Sequence, residues 1–125
     1  MTVTDTRRIL LVEDDDSTRL ALRLLLEGRG HTVEEADDGL DGVRKALASK
    51  PEVILLDLEM PVEDGYGVAR RVREALGGGV RLIALTGHDQ PPRALAAGFD
   101  AHVLKPADPE RVCSLVKGVA VPPTR

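Results

Sequence analysis

Three short, unbroken apolar runs constrain this chain most: Ile9-Leu10-Leu11-Val12, Val53-Ile54-Leu55-Leu56 and Leu82-Ile83-Ala84-Leu85. Each is too brief for a helix and ends in polar residues, the pattern of a strand covered on both faces. Stretches with helical spacing alternate with them: Leu20, Leu24 and Leu25; Leu40, Val43 and Leu47; Val68, Val72 and Leu76; Val112, Leu115, Val116 and Val119. Each spacing predicts one apolar stripe facing a core. Gly28 and Gly30, Pro51, and Gly77-Gly78-Gly79 punctuate the ends of the first three helices. Asp38 with Asp41, and Asp108 before Pro109, mark helix starts. His31 to Ala36 supplies a weaker second strand and Ala101 to Leu104 a short fifth. The chain therefore reads as (βα) repeated five times, a doubly wound α/β fold with a five-stranded parallel sheet and right-handed crossovers.

At 125 residues this is expected to be a single domain spanning 1–125, with a core over about 7–119 and a tail or linker remnant at 120–125. Such a domain needs no disulfide, and the lone Cys113 reads as an apolar filler in a reducing compartment. A net charge of −4 gives no pull toward nucleic acid or an acidic bilayer. No apolar run reaches membrane-spanning length and no secretory pattern opens the chain, so a cytoplasmic protein is expected. Tyr66 and Phe99 are its only aromatic residues, too few for base stacking or an aromatic ligand site.

In a doubly wound sheet, ligands bind at the carboxyl ends of the strands, where the chain order reverses beside the first and third strands. The first strand runs into Glu13-Asp14-Asp15-Asp16, and the third runs directly into Asp57. Glu13, Asp14 and Asp57 would then crowd three negative charges together, which costs energy unless a cation joins them. An all-oxygen set favours a hard divalent ion, Mg²⁺, the ion of phosphoryl transfer. Asp15 and Asp16 are expected only to cap the first helix and favour its positive end.

The run from Pro51 to Gly65, Pro-Glu-Val-Ile-Leu-Leu-Asp-Leu-Glu-Met-Pro-Val-Glu-Asp-Gly, resembles the phosphoacceptor signature of response-regulator receiver domains. Ile9 to Asp14, Leu82 to Thr86 and Leu104-Lys105-Pro106 are similar to three further family segments in the same order, so the resemblance covers Arg8 to about Val119. It implies a flavodoxin-like sheet of order 2-1-3-4-5 and a role in two-component signalling or a phosphorelay. Asp57 would be the nucleophile that accepts phosphate from a phosphohistidine on a histidine kinase or histidine phosphotransfer protein. Asp14, Asp57 and the backbone carbonyl of Glu59 would bind Mg²⁺ directly, with Glu13 acting through a metal-bound water. Lys105 would pair with the phosphoryl group or, before transfer, with Asp57, and Thr86 would be the switch hydroxyl. A cis peptide at Lys105-Pro106 is implied as well. Physically, a carboxylate can attack a phosphoryl group only if the charge on both is neutralised and the two are held in line.

The sequence also departs from the family. His102 stands where an aromatic residue usually swings inward; buried, its imidazole would make switching pH-sensitive, and otherwise it is simply exposed on the fifth strand. Only fifteen residues separate Thr86 from His102, and Pro91-Pro92 stand where the fourth helix should begin, so a stunted fourth helix of about two turns at most is expected. That puts the usual dimer in doubt and points to a monomer or weak dimer. Glu59 and His88, two residues beyond Asp57 and Thr86, would overlook the phosphoryl group. Glu59 there could repel it or help orient water, and the sequence does not decide between these. The reading is of a binding switch that catalyses only its own phosphorylation and dephosphorylation, not an enzyme. An alternative is a pseudo-receiver that binds partners without phosphorylation, and a remoter one is a Mg²⁺-dependent aspartyl-phosphate phosphatase, which would want a second acid at Glu59 and a cap the chain lacks. A flavin protein is rejected, because Glu13 to Asp16 would repel the flavin phosphate. Ala97 to His102 is similar to receivers of hybrid sensor kinases, so the chain is either a stand-alone receiver or one cut from a longer protein.

Overall fold

A computed structural model describes residues 6–60, 65–87 and 97–118. Its elements run β1 (Arg8–Val12), α1 (Asp16–Gly28), β2 (Thr32–Ala36), α2 (Gly39–Ser49), β3 (Val53–Asp57), α3 (Gly65–Leu76), a 3-10 turn (Gly77–Gly79), β4 (Arg81–Thr86), β5 (Ala101–Leu104) and α4 (Pro109–Lys117). The stunted helix expected after β4 and the tail expected at 120–125 lie outside the described residues, apart from Ala97, which is in a turn. Among the described residues no helix is long and apolar enough to cross a membrane.

The strands form one parallel sheet in the order β2-β1-β3-β4-β5. Alternate residues of the apolar runs point to opposite faces. Leu10, Val12, Ile54, Leu56, Leu82 and Ala84 join Val68, Ala69 and Val72 of α3 in one core. Ile9, Leu11, Val53, Leu55, Ile83 and Leu85 join Leu22 and Leu26 of α1 and Val112, Leu115 and Val116 of α4 in the other. Cys113 is buried in this second cluster, and burial pushes its thiol pKa up, as suits a filler. Tyr66 and Phe99 meet edge to face across the first core, with ring centres 6.3 Å apart.

Helix starts match the expected chemistry. Asp15 accepts from Thr18 N, Asp38 from Asp41 N and Asp108 from Glu110 N, each satisfying a helix-end donor. Two apolar stripes differ from expectation. On α1 the buried residues are Leu22 and Leu26, while Leu20 and Leu24 are 47% and 57% exposed. Both pairs have helical spacing; Leu22 and Leu26 enter the core, and Arg19 and Arg23 reach Glu35 of β2 at 3.1 and 2.7 Å. On α2, Leu40 and Leu47 are exposed and the buried residues are Gly39, Gly42 and Ala46. The helix lies too close to β1 for larger groups: a Cβ on Gly42 would fall 3.0 Å from a Val12 methyl.

These rotations give opposite expectations for neighbouring leucines of one helix. Leu26→Ala should cost about 2–5 kcal/mol, whereas Leu24→Ala should change stability by no more than about 0.5 kcal/mol. Urea unfolding of the two variants measures both, and comparable losses would contradict the assigned rotation.

Candidate functional site

The site forms at the carboxyl end of the sheet because β1, β3, β4 and β5 all end there, in register. Val12 lies opposite Leu56, Asp57 opposite Leu85 and Thr86 opposite Leu104, so Glu13, Asp57 and Lys105 leave their strands as near neighbours. Backbone bonds hold these ends: Glu13 N to Ala36 O at 3.0 Å, Leu58 N to Leu85 O at 2.9 Å and Lys105 N to Thr86 O at 2.8 Å. The Lys105-Pro106 peptide is cis, as the resemblance implied.

Carboxylate oxygens of Glu13, Asp14 and Asp57 all lie within 4.8 Å of one another. Lys105 Nζ stands 3.1 Å from Glu13 Oε1 and 3.2 Å from Asp57 Oδ1. Glu13 and Asp57 are 0% and 1% exposed, so little water screens them. Asp15 N donates to Glu13 Oε2 at 3.1 Å, but Glu13 Oε1 accepts no hydrogen bond among the described residues. It pairs with the Lys105 ammonium. Three carboxylates this close together, two of them buried, suit a hard divalent cation.

Burial, with the neighbouring Asp57 carboxyl adding to it, pushes the Glu13 pKa up to about 7. Burial alone would lower the Lys105 pKa, but the bonds and charges of Glu13 and Asp57 outweigh it and raise it. Lys105 therefore stays an ammonium at neutral pH. Asp15 and Asp16 stay out of the cluster. Asp15 caps α1, and Asp16 pairs with Arg19 at 2.6 Å.

Thr86 is buried at the end of β4. Its hydroxyl donates to Glu59 Oε2 at 3.0 Å, and Gly87 N donates to both Glu59 oxygens, at 2.9 and 3.1 Å. Glu59 N in turn donates to Asp57 Oδ1 at 2.9 Å. The Glu59 side chain thus spans the rim to the end of β4, a contact the spacing of acids did not reveal. His102 is half-buried on β5, and Arg111 donates to its carbonyl at 3.1 Å. His88 lies outside the described residues.

Arg19 escaped the sequence reading, and Gly65 entered it only as the last residue of the phosphoacceptor-like run. Arg19 donates to the Glu13 carbonyl at 2.8 Å while gripping Asp16 and Glu35, which pins the acidic turn to α1 and β2. Its only signal in sequence was helical spacing from the acidic run. Gly65 opens α3 directly against the phosphoacceptor-like turn, where a Cβ would fall 2.7 Å from the Asp57 carbonyl oxygen and from Leu58 Cα. Both of those contacts are backbone and cannot move aside, so the position requires glycine.

The raised Glu13 pKa has a stability consequence in metal-free protein. The folded state holds the proton up to about pH 7 and an unshifted carboxyl only to 4.5, so this contribution is full below the lower value and is lost as pH rises through the upper one. Each pKa unit corresponds to at most about 1.4 kcal/mol. Chelator-treated wild type should lose urea stability between about pH 5 and 8, and Glu13→Gln should flatten that slope. Parallel slopes would show that Glu13 does not carry it.

Residues 9–117 match the family described as the response regulator receiver domain. The transcriptional regulatory protein ResD of Bacillus subtilis is 32% identical over 95% of this chain, and AfsQ1 of Streptomyces coelicolor is 38% identical over 78%. The chain spans about half the length of these curated relatives, 50% and 44%. Among solved structures, the Vibrio cholerae chemotaxis protein CheY4 superposes with a TM-score of 0.84 at 28% identity, covering 91% of this chain and 98% of that one. The receiver domain of the sensor histidine kinase PA1611 from Pseudomonas aeruginosa, with magnesium coordinated in its active site cleft, gives 0.82 at 30% identity, covering 90% and 96%. Sequence, sheet order and structural neighbours agree, and this chain belongs to the response regulator receiver domains of two-component systems.

Proposed function

We propose that Asp57 accepts a phosphoryl group from a phosphohistidine of a histidine kinase or histidine phosphotransfer protein. The observation that carries this reading is the meeting of three carboxylates within 4.8 Å of one another, with an ammonium 3.2 Å from the one that ends β3. An Asp57 carboxylate oxygen attacks phosphorus, the nitrogen–phosphorus bond of the donor breaks, and the imidazole departs with the electron pair.

Asp14, Asp57 and the Glu59 carbonyl would hold Mg²⁺, with Glu13 in its outer sphere. When bound, the ion neutralises charge on the carboxylate and on the phosphoryl oxygens. The chain's own residues supply the rest. Lys105, already an ammonium against Asp57, pairs with the incoming phosphoryl oxygens and keeps its proton. Glu59 N, at hydrogen-bond distance from Asp57 Oδ1, fixes the orientation of the nucleophile. Beside Lys105 runs a groove of about 330 Å³, lined by Thr18, Ala21, Leu22, Leu85 and Pro106 among others, and it offers the donor protein a largely apolar seat next to the reacting group.

Thr86 then turns toward the phosphoryl group and the surface around His102 changes with it, while Glu59 stands at the rim beside the acyl phosphate. The domain works in the cytoplasm as a monomer or weak dimer, as a switch rather than a catalyst with turnover on outside substrates. Incubation with acetyl phosphate and Mg²⁺ should add one phosphoryl group by intact mass. Asp57→Asn should abolish the gain, and chelation of the metal should slow it by at least about tenfold, the kinetic weight of roughly 1.4 kcal/mol. An undiminished gain in Asp57→Asn would refute the assignment.

A further inference from the structure

The Glu59 carboxylate takes no part in the transfer step, yet it bridges two loops. Its acceptors reach Thr86 Oγ1 at 3.0 Å and Gly87 N at 2.9 and 3.1 Å, 27 and 28 residues further along the chain. An anion held by a hydroxyl and the next peptide N–H is bound much as a phosphate oxygen would be. A Cβ on residue 87 would stand 3.3 Å from Glu59 Oε1, a tight contact that glycine avoids.

These donors end β4, whose Leu85 lies opposite Asp57, and Glu59 N itself contacts Asp57 Oδ1. A phosphoryl group built on Asp57 would therefore enter a crevice in which the donors at the end of β4 already hold a carboxylate. We propose that Glu59 is an internal latch, which occupies Thr86 Oγ1–H and Gly87 N–H in the unphosphorylated domain and must release them to the phosphoryl oxygens before the domain can switch. The proposal rests on Asp57 being the phosphoacceptor. No covalent bond to Glu59 forms or breaks; the Thr86 and Gly87 donors change acceptor. The new dianion repels the carboxylate it displaces, so transfer and release favour each other. The latch sets a threshold, because a ligand that needs the donors binds in proportion to the fraction of molecules in which they are free.

Beryllium fluoride with Mg²⁺, a stable mimic of a phosphoryl group on a carboxylate, probes this directly. It is titrated into isotope-labelled full chain and followed by NMR at the Gly87 amide. Glu59 is exposed, so its substitution leaves the core intact. In the free protein, Glu59→Ala should shift the Gly87 amide proton upfield as the carboxylate bond is lost. The mimic should then bind about tenfold more tightly than to wild type, the weight of one charge-assisted hydrogen bond. Glu59→Asp keeps the charge but is one methylene too short to reach both donors, and it should behave like Glu59→Ala. Affinity equal to wild type in Glu59→Ala, wild-type behaviour in Glu59→Asp, or an unmoved Gly87 amide in free Glu59→Ala would each overturn the latch while leaving Asp57 as phosphoacceptor. Failure of the mimic to bind wild type and variants alike would remove the phosphoacceptor reading and the latch together.

Discussion

The site depends on an electrostatic conflict that the sheet imposes and a single ammonium partly relieves. Parallel registers bring Glu13, Asp14 and Asp57 together at one edge, and burial denies Glu13 and Asp57 the water that would screen them. Lys105 answers two of the three from the end of β5. Among the described residues, three carboxylates face one ammonium; burial, with the neighbouring Asp57 carboxyl adding to it, raises the Glu13 pKa, and the remaining negative charge suits a divalent cation. A cluster so arranged contributes little to stability by itself. Its cost is borne by the two aliphatic cores beneath it, each continuous with the strands that present the acids.

The strands were legible because burial on both faces leaves only one composition available to them. Ile9 to Val12, Val53 to Leu56 and Leu82 to Leu85 are aliphatic at every position, and no other element of a chain this size produces that pattern. Helix rotation was less legible, for two separate reasons. On α1, two leucine pairs with identical spacing competed, and the packing of Leu22 and Leu26 with Ile9 and Leu11 of β1 shows which is inside. On α2, close approach to β1 favours small residues inside, so Gly42 and Ala46 are buried and the leucines face out. Spacing reports that a helix has two faces, and only packing says which of them is inside.

The acids and the lysine of the site were legible for a similar reason: charges at the tips of otherwise aliphatic strands have few structural roles. Glu59 and Gly65 were harder to read. A glutamate in a turn is ordinary, and its meaning comes from the distance to Thr86 and Gly87, which depends on the pairing of β3 with β4. Gly65 closes the matched run, but its reason is visible only in the structure, where a Cβ on it would fall 2.7 Å from the Asp57 carbonyl oxygen.

The two glutamates of the site complete one charge argument. Glu13 is buried and has no donor on one oxygen, so it can be satisfied by a proton, by Lys105 or by a cation, and it has nowhere to go. Glu59 is exposed, with Thr86 and Gly87 among the groups that hold it, so its charge stays hydrated when it moves outward. Phosphorylation of Asp57 replaces one negative charge by about two, on an edge already in surplus. The group that yields is the one whose alternative is water, and its departure frees hydrogen-bond donors on the adjoining strand end. In this arrangement the excess charge that makes the site able to bind a cation also determines which side chain moves when phosphate arrives.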